Sequence, residues 1–404
     1  MIIETILPEI IIRNSAKILL LVMDGLGGAP NPSTGKTELE TASTPNLDVF
    51  AQRSTCGLTI PIFPGVTPGS GPAHLALFGY DPIEHKIGRG VLEVLGIGMP
   101  LGKDDLAIRG NFATIDKAGT VIDRRAGRIP TEENARLIET LSQKIGTIEG
   151  IEVSLRTVKE HRCAIVLKGP GLSPEVTEND PQKEGLSLNA ISPLSDAAVF
   201  TAKVLTEFLT RVQEILGPIE SKAKTILLRG FAKIPTIATF QEKYKLNPAC
   251  IASYPMYKGL ATLVGMEIAQ DLETIDDEIN WLVQHYDQFD FFYLHYKKTD
   301  SSGEDGDFQR KVAAIEEFDS KFSRISSLKF DAVALTGDHS TPAAMKGHSW
   351  HPVPFALYSP YGIPDDVESF TERSCGKGLF STFPATHAIY LLLAHARKLQ
   401  KFGA

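Results

Sequence analysis

Short unbroken apolar runs, each closed by a polar or glycine-rich stretch, set the rhythm of the chain. Residues 17–23 read Lys17-Ile18-Leu19-Leu20-Leu21-Val22-Met23 and end at Asp24-Gly25-Leu26-Gly27-Gly28. A continuous run of this length predicts a strand buried on both faces, as in a parallel sheet covered by helices. The pattern recurs at residues 289–295, before the loop Lys297-Lys298-Thr299-Asp300, and at residues 330–335, before Thr336-Gly337-Asp338-His339. Three predicted strands therefore each deliver an acid just past their carboxyl ends, the rim where ligands bind in open α/β sheets. Between the last two, Val312, Ile315, Phe318, Phe322 and Ile325 fall at steps of three and four, which predicts an amphipathic helix over residues 311–328.

The middle of the chain follows a different pattern. Residues 111–116 and 119–123 flank Lys117-Ala118 in a hairpin-like arrangement, residues 131–145 have helical spacing, and residues 152–158 and 162–167 read as strands. A smaller α+β domain is therefore expected at residues 103–228, inserted into a larger α/β domain made of residues 1–102 and 229–404. A chain of 404 residues is long enough for both.

Charge and cysteine usage narrow the function classes. A formal net charge of -8 argues against nucleic acid or an anionic membrane as partner, so cations for an anionic ligand must be local. The apolar stretch at residues 2–12 contains Glu4, Pro8 and Glu9 and has neither the basic start nor the cleavage site of a signal peptide. Cys56, Cys163, Cys250 and Cys375 are far apart and form no metal-knuckle or disulfide pattern, so a reducing cytoplasm is expected.

Acids and imidazoles are concentrated in Thr299-Asp300-Ser301-Ser302-Gly303-Glu304, Thr336-Gly337-Asp338-His339-Ser340 and His348-Ser349-Trp350-His351. Hard oxygen and imidazole ligands at this density suit a pair of divalent ions. The loop Pro64 through His74 adds Ser70, which reads either as a helix N-cap or as a nucleophile whose hydroxyl a cation must activate. Asp24 alone reads as a turn acid, Asp338-His339 as an Asx turn with a surface histidine, and His348 and His351 as loop residues that cap carbonyls. Together the five patches point to two-metal phosphoryl transfer.

These residues resemble the cofactor-independent phosphoglycerate mutases of the archaeal type, within the alkaline phosphatase superfamily. The likeness runs through residues 22–28, Thr44-Pro45-Asn46-Leu47-Asp48, Ser70-Gly71-Pro72-Ala73-His74-Leu75, Gly79-Tyr80-Asp81-Pro82, Arg109 to Thr114, Asp123 to Arg128, Thr299-Asp300, Gly306-Asp307-Phe308 and Thr336 to Pro342. The resemblance implies an alkaline-phosphatase-like core, with a mostly parallel sheet covered by helices, and an inserted cap that closes over the substrate. It implies interconversion of 2- and 3-phosphoglycerate in glycolysis and gluconeogenesis, with Ser70 carrying the phosphoryl group and no 2,3-bisphosphoglycerate. Asp24, Ser70, Asp338 and His339 match the ligands of one divalent ion, and Asp300 and His348 match ligands of a second. Manganese is the expected ion, with magnesium, cobalt or zinc as alternatives.

Two positions depart from the family pattern. Glu304 stands where the family has histidine, and His348-Ser349-Trp350-His351-Pro352 replaces His-Ser-Gly-Asp-Pro. The changes read as an exchange, with Glu304 and His351 both ligating the second ion; the rival is Glu304 as ligand with His351 behind it. Two dications about 4 Å apart repel by roughly 17 kcal/mol at an effective dielectric near 20, so a further carboxylate beside Asp24, Asp300 and Asp338 would offset charge. For the substrate, the inserted segment offers Arg109, Arg124, Arg125, Arg128 and Arg162 as anion-binding forks, with His161, or else Asp123, to carry protons. The alternatives are a metal-dependent phosphomonoester or phosphonate hydrolase of the same superfamily, and a silent metal-binding sensor of phosphoglycerate. The sequence does not decide between monomer and homo-oligomer.

Overall fold

The structure, a computed structural model, describes residues 3–403, so Ile2 at the start of the first apolar stretch lies outside it. In chain order the strands are β1 (Ile18–Met23), β2 (Thr55–Ile60), β3 (Leu106–Ile115), β4 (Val121–Asp123), β5 (Thr147–Ile148), β6 (Ile151–Lys159), β7 (Arg162–Lys168) and β8 (Thr225–Ala232). They continue with β9 (Pro248–Ile251), β10 (Glu267–Ile268), β11 (Phe291–Tyr296), β12 (Ala332–Thr336), β13 (Val353–Tyr358) and β14 (Ser381–Pro384). Two compact units result: Met1–Lys86 with Ile237–Tyr254 and Val264–Ala404, and Ile87–Thr236 with Pro255–Leu263.

The first unit is built on an eight-stranded sheet in the order β10-β9-β11-β1-β12-β13-β2-β14. β1 pairs in parallel with both β11 and β12, with Ile18 opposite Phe291 and Ala332. Every residue of β1, β11 and β12 is buried, which is why each reads as a continuous apolar run. The three acids therefore leave neighbouring strands at one rim. β13 alone runs against its neighbours, β12 and β2. Its amino end thus lies at the rim reached by the carboxyl ends of the others, and this brings the segment before Val353 to the acids.

The expected amphipathic helix spans Phe308–Ser326 and starts earlier than its spacing predicts, because the Asp307 side chain caps it by accepting from the Arg310 N–H. It buries Ile315, Phe318 and Phe322 against Leu19, Leu21, Phe292 and Leu335 of the sheet. Each such side chain contributes about 1.5–3 kcal/mol of burial. The segment expected as a loop at Lys297 to Asp300 is instead the start of a helix, Lys298–Glu304, entered directly from β11, with Asp300 in its first turn.

The second unit is an antiparallel sheet ordered β4-β3-β7-β6-β5, with β8 along β3. Its core gathers Leu106, Ile108, Leu141, Ile165, Phe208 and Ile226. The helix expected at residues 131–145 spans Thr131–Ile145. The unit begins before residue 103 and ends after residue 228, because the helix Arg89–Gly96 packs on β3 and β8 and on the helix Pro255–Leu263. Among the described residues no helix is long and apolar enough to cross a membrane.

Candidate metal centre and nucleophile

Three strand ends and one helix converge on the first unit's rim. Ser70 is the first residue of the helix Ser70–Leu77, while Gly69 takes the N-cap position without a side-chain bond. Ser70 is thus not a cap; its Oγ lies 3.1 Å from His339 Nε2. The same nitrogen is 3.1 Å from Asp338 Oδ2 and 3.5 Å from Asp24 Oδ1. Oxygen and nitrogen ligands around one ion at about 2.1 Å sit roughly 3 Å apart, so this spacing suits a shared cation.

The second group is Asp300, His339 and His348. His348 Nε2 is 3.6 Å from Asp300 Oδ1 and 3.8 Å from Glu304 Oε1, and the His348 ring stacks on that of His339 with centroids 3.6 Å apart. Among Asp24, Asp338 and His339, and among Asp300, His339 and His348, the potential ligand atoms lie within 4.8 Å of one another.

Hydrogen bonding fixes both imidazole tautomers. Thr341 Oγ1 donates its single hydrogen to Asp300 Oδ1 at 2.6 Å, so at 3.0 Å it accepts from His339 Nδ1–H. His348 Nδ1–H donates to the Pro68 carbonyl at 2.8 Å. Nδ1 of each imidazole is thus engaged on the side away from the acids, and each Nε2 faces carboxylate oxygens, the placement from which an imidazole nitrogen joins carboxylates around a cation. That donor set fits divalent ions.

The buried acids are also braced from behind. His295 Nε2 donates to Asp24 Oδ2 at 3.1 Å, and Lys297 Nζ reaches Asp24 Oδ2 at 2.9 Å and Asp300 Oδ2 at 2.6 Å. Burial opposes ionisation of Asp24, but Lys297 and His295 outweigh it and hold the carboxyl well below its ordinary range. His74 Nδ1 lies 3.2 Å from Asp338 Oδ2 and 2.9 Å from the Ser70 carbonyl. Burial lowers the pKa of His339 against the opposing charges of Asp338 and Asp24, while burial and the Asp300 charge raise that of Glu304. Lys297, His74, His295 and Thr341 contact the candidate ligands and were missed by sequence reasoning. Lys297 and His74 stood inside motifs already singled out, but His295 lies within an apolar strand and gave no signal.

His351 falls in neither ligand group. Its Nδ1 bonds Ser349 Oγ at 2.9 Å and its ring stacks on Trp350, with a pKa lowered by burial. Glu304 also lies outside both groups, and its side chain is 54% exposed.

In the second unit, Asp123 accepts from the backbone N–H of Arg125 and of Gly127, both at 2.7 Å. It thereby pins a turn in which Ala126, Gly127 and Arg128 all have positive φ, of 46°, 66° and 52°. Arg124 makes a two-pronged bond to buried Asp180, at 3.0 and 2.7 Å, so its fork is engaged within the protein. Arg125 and Arg128 are exposed. His161 is buried, and burial together with the Arg162 charge pushes its pKa down to about 4, with Arg125 and Arg128 adding to the effect. Arg109 on β3 feels Glu93 and the like charges of Arg162, Arg89 and Arg229. Arg89 and Arg229 were not anticipated. The cluster of guanidiniums can bind an anion.

Comparisons with known proteins agree with this chemistry. A family model described as 2,3-bisphosphoglycerate-independent phosphoglycerate mutase matches residues 51–220. Proteins named as probable enzymes of that kind are 49% identical over 410 residues in Aquifex aeolicus and 48% identical over 401 residues in Thermotoga neapolitana. Each comparison covers 99% of this chain, and 100% and 99% of the relative. A solved cofactor-independent phosphoglycerate mutase from Thermoplasma acidophilum superposes with TM-score 0.75 at 30% identity, covering 94% of this chain and all of that one. A protein from Pyrococcus horikoshii gives TM-score 0.83 at 29% identity, covering 96% and 99%.

Proposed function

The chain belongs to the 2,3-bisphosphoglycerate-independent phosphoglycerate mutase family, and on that premise we propose that it interconverts 2- and 3-phosphoglycerate by way of a phosphoserine on Ser70. The observation that carries this reading is Ser70 Oγ at 3.1 Å from His339 Nε2, within a cluster of buried acids. Divalent ions, which we take to be two Mn2+, would be held by Asp24, Ser70, Asp338 and His339 and by Asp300, His348 and Glu304, and would supply charge stabilisation and a lowered hydroxyl pKa.

Ser70 Oγ loses its proton and attacks phosphorus, the bond from phosphorus to the glycerate oxygen breaks, and that oxygen takes up a proton. In the return step the other glycerate hydroxyl gives up its proton and attacks the same phosphorus, the bond to Ser70 Oγ breaks, and Ser70 Oγ takes up a proton to restore the starting hydroxyl. Lys297, beside Asp24 and Asp300, adds positive charge where the phosphoryl group gathers negative charge.

Glu304 is assigned as a second-site carboxylate because it approaches His348. His351 is assigned as a brace of the loop, since Ser340 Oγ donates to its carbonyl at 3.1 Å. Anion binding is assigned to Arg109, Arg125, Arg128 and Arg162, and proton carriage to His161, whose depressed pKa leaves it a neutral base. Asp123 and Arg124 fix the turn that presents Arg125 and Arg128. The four buried free cysteines support a reducing, cytoplasmic setting.

The test is turnover of 3-phosphoglycerate by metal-stripped protein resupplied with Mn2+, without 2,3-bisphosphoglycerate, following 2-phosphoglycerate and free phosphate together. Formation of 2-phosphoglycerate without phosphate release is expected. Phosphate release alone would make the protein a hydrolase.

A further inference from the structure

Lys311, on the helix Phe308–Ser326, is wholly buried. Its Nζ donates to the carbonyls of Gly25 at 2.8 Å, Gly27 at 2.9 Å and Thr341 at 2.9 Å. An ammonium has three N–H groups, and all three are used. Two of the acceptors belong to the loop that carries Asp24, and the third follows Asp338 and His339.

The segments so joined are in close contact. A Cβ on Gly25 would meet Thr341 Oγ1 at 2.5 Å and Asp300 Oδ1 at 2.7 Å, and one on Gly303 would meet the Thr341 carbonyl at 2.2 Å. Carboxylates fasten the same loops at their far ends. Glu38 Oε1 accepts from Ala343 N–H at 2.7 Å, and Glu372 accepts from Gly28 N–H at 3.0 Å and from Thr37 Oγ1 at 2.8 Å.

We propose that Lys311 is a positioning residue that sets the separation of the two ligand loops, so that Asp24, His339 and, through the Thr341 hydroxyl, Asp300 are held at ligand spacing. Neutral side chains do not replace it, because few offer three diverging donors and none carries the charge that three inward-facing carbonyl dipoles favour. This inference rests on reading the two acid–imidazole groups as metal sites.

The experiment is calorimetric titration of Mn2+ into metal-stripped wild-type, Lys311→Met and Lys311→Ala proteins. The Ala variant is also titrated in propylammonium chloride, which replaces the missing stem and ammonium, and in tetramethylammonium chloride, which has no N–H. Lys311→Met is expected to bind Mn2+ roughly 10- to 100-fold more weakly, the range typical of groups that orient metal ligands. Propylammonium is expected to restore part of the affinity of Lys311→Ala, and tetramethylammonium none. Wild-type affinity in both variants would overturn the proposal, as would equal effects of the two salts, which would mean a filled cavity or ionic strength alone. If Lys311→Ala does not hold its fold, the reading moves to Tm: a rise with propylammonium alone supports the proposal, and no rise overturns it. Failure of the wild-type protein to bind Mn2+ would overturn the metal-site reading, a result distinct from the others.

Discussion

Replacing Lys297 by methionine keeps the unbranched stem of the side chain and removes the charge that joins Asp24 to Asp300. The Nζ–O distances are 2.9 and 2.6 Å, and the two carboxylates are 0% and 1% exposed. At an effective dielectric of about 20, each contact corresponds to roughly 6 kcal/mol of Coulomb energy before desolvation. The cost of burying three charges takes back most of that, and removing one partner of a buried pair destabilises by about 3–5 kcal/mol. Partial exposure of Lys297 and the second contact from His295 to Asp24 place the expected loss at the lower end. Units of this size shift by about 2–4 °C per kcal/mol, so a loss of about 3 kcal/mol means that metal-free Lys297→Met should melt roughly 6–12 °C below metal-free wild type.

The assay is thermal unfolding at neutral pH, with and without Mn2+. Asp24 has a depressed pKa, so its contribution is fully present above the unfolded-state value and is lost only as pH falls through the folded one. Neutral pH therefore isolates the loss of the ammonium. Mn2+ supplies positive charge to the same carboxylates, so it should raise Tm more in the variant than in the wild type. Equal metal-free Tm values, or equal rises on adding Mn2+, would refute the electrostatic account.

Ser70→Ala should lose at least roughly 10³-fold in turnover, with no phosphoserine detected by mass spectrometry, since the phosphoryl group has no acceptor; retained turnover would remove Ser70 from the mechanism. Glu304→His should shift preference from Mn2+ toward Zn2+ or Co2+ in calorimetry, because an imidazole replaces a hard oxygen ligand; an unchanged preference would place Glu304 outside the second site. His161 titrates near 4 when folded and about 6.5 when unfolded, so the native state binds fewer protons between those values. Its contribution to stability is complete above about pH 6.5 and declines toward pH 4, and denaturant unfolding of His161→Gln should show a flatter pH dependence across that window.

The three candidate ligand acids are legible because each follows a strand buried on both faces, and such strands announce themselves as uninterrupted apolar runs. Asp24, Asp300 and Asp338 could be placed at one rim for that reason alone. His348 was legible only as part of a histidine patch. Its arrival at the same rim depends on β13 running against its neighbours, a pairing that local pattern does not encode. His295 and Lys311 were hidden for the opposite reason, since a buried histidine in an apolar strand and a lysine on a helix look ordinary until Asp24, 271 residues from His295, and Gly25, 286 residues from Lys311, are seen beside them. The engagement of Arg124 by Asp180, 56 residues on, was likewise invisible in the run of basic residues around it. The extent of the second unit was misjudged because the helix Arg89–Gly96 is committed by its packing on β3 and β8, not by its own composition.

The place of β1 between β11 and β12 bears on how the protein is made. Asp24 and Lys297 are 273 residues apart. At a synthesis rate of about 5–20 residues per second, β1 leaves the ribosome roughly 15–55 s before either neighbouring strand exists. Throughout that interval the nascent chain carries Ile18 to Met23 as an unpaired apolar strand, able to pair with other chains and an evident target for chaperones. An amino-terminal fragment that ends before β12 lacks Asp338, His339 and His348 and so cannot assemble the candidate metal centre. Truncated products of this gene should therefore be recovered aggregated and without bound metal rather than as partly active enzyme.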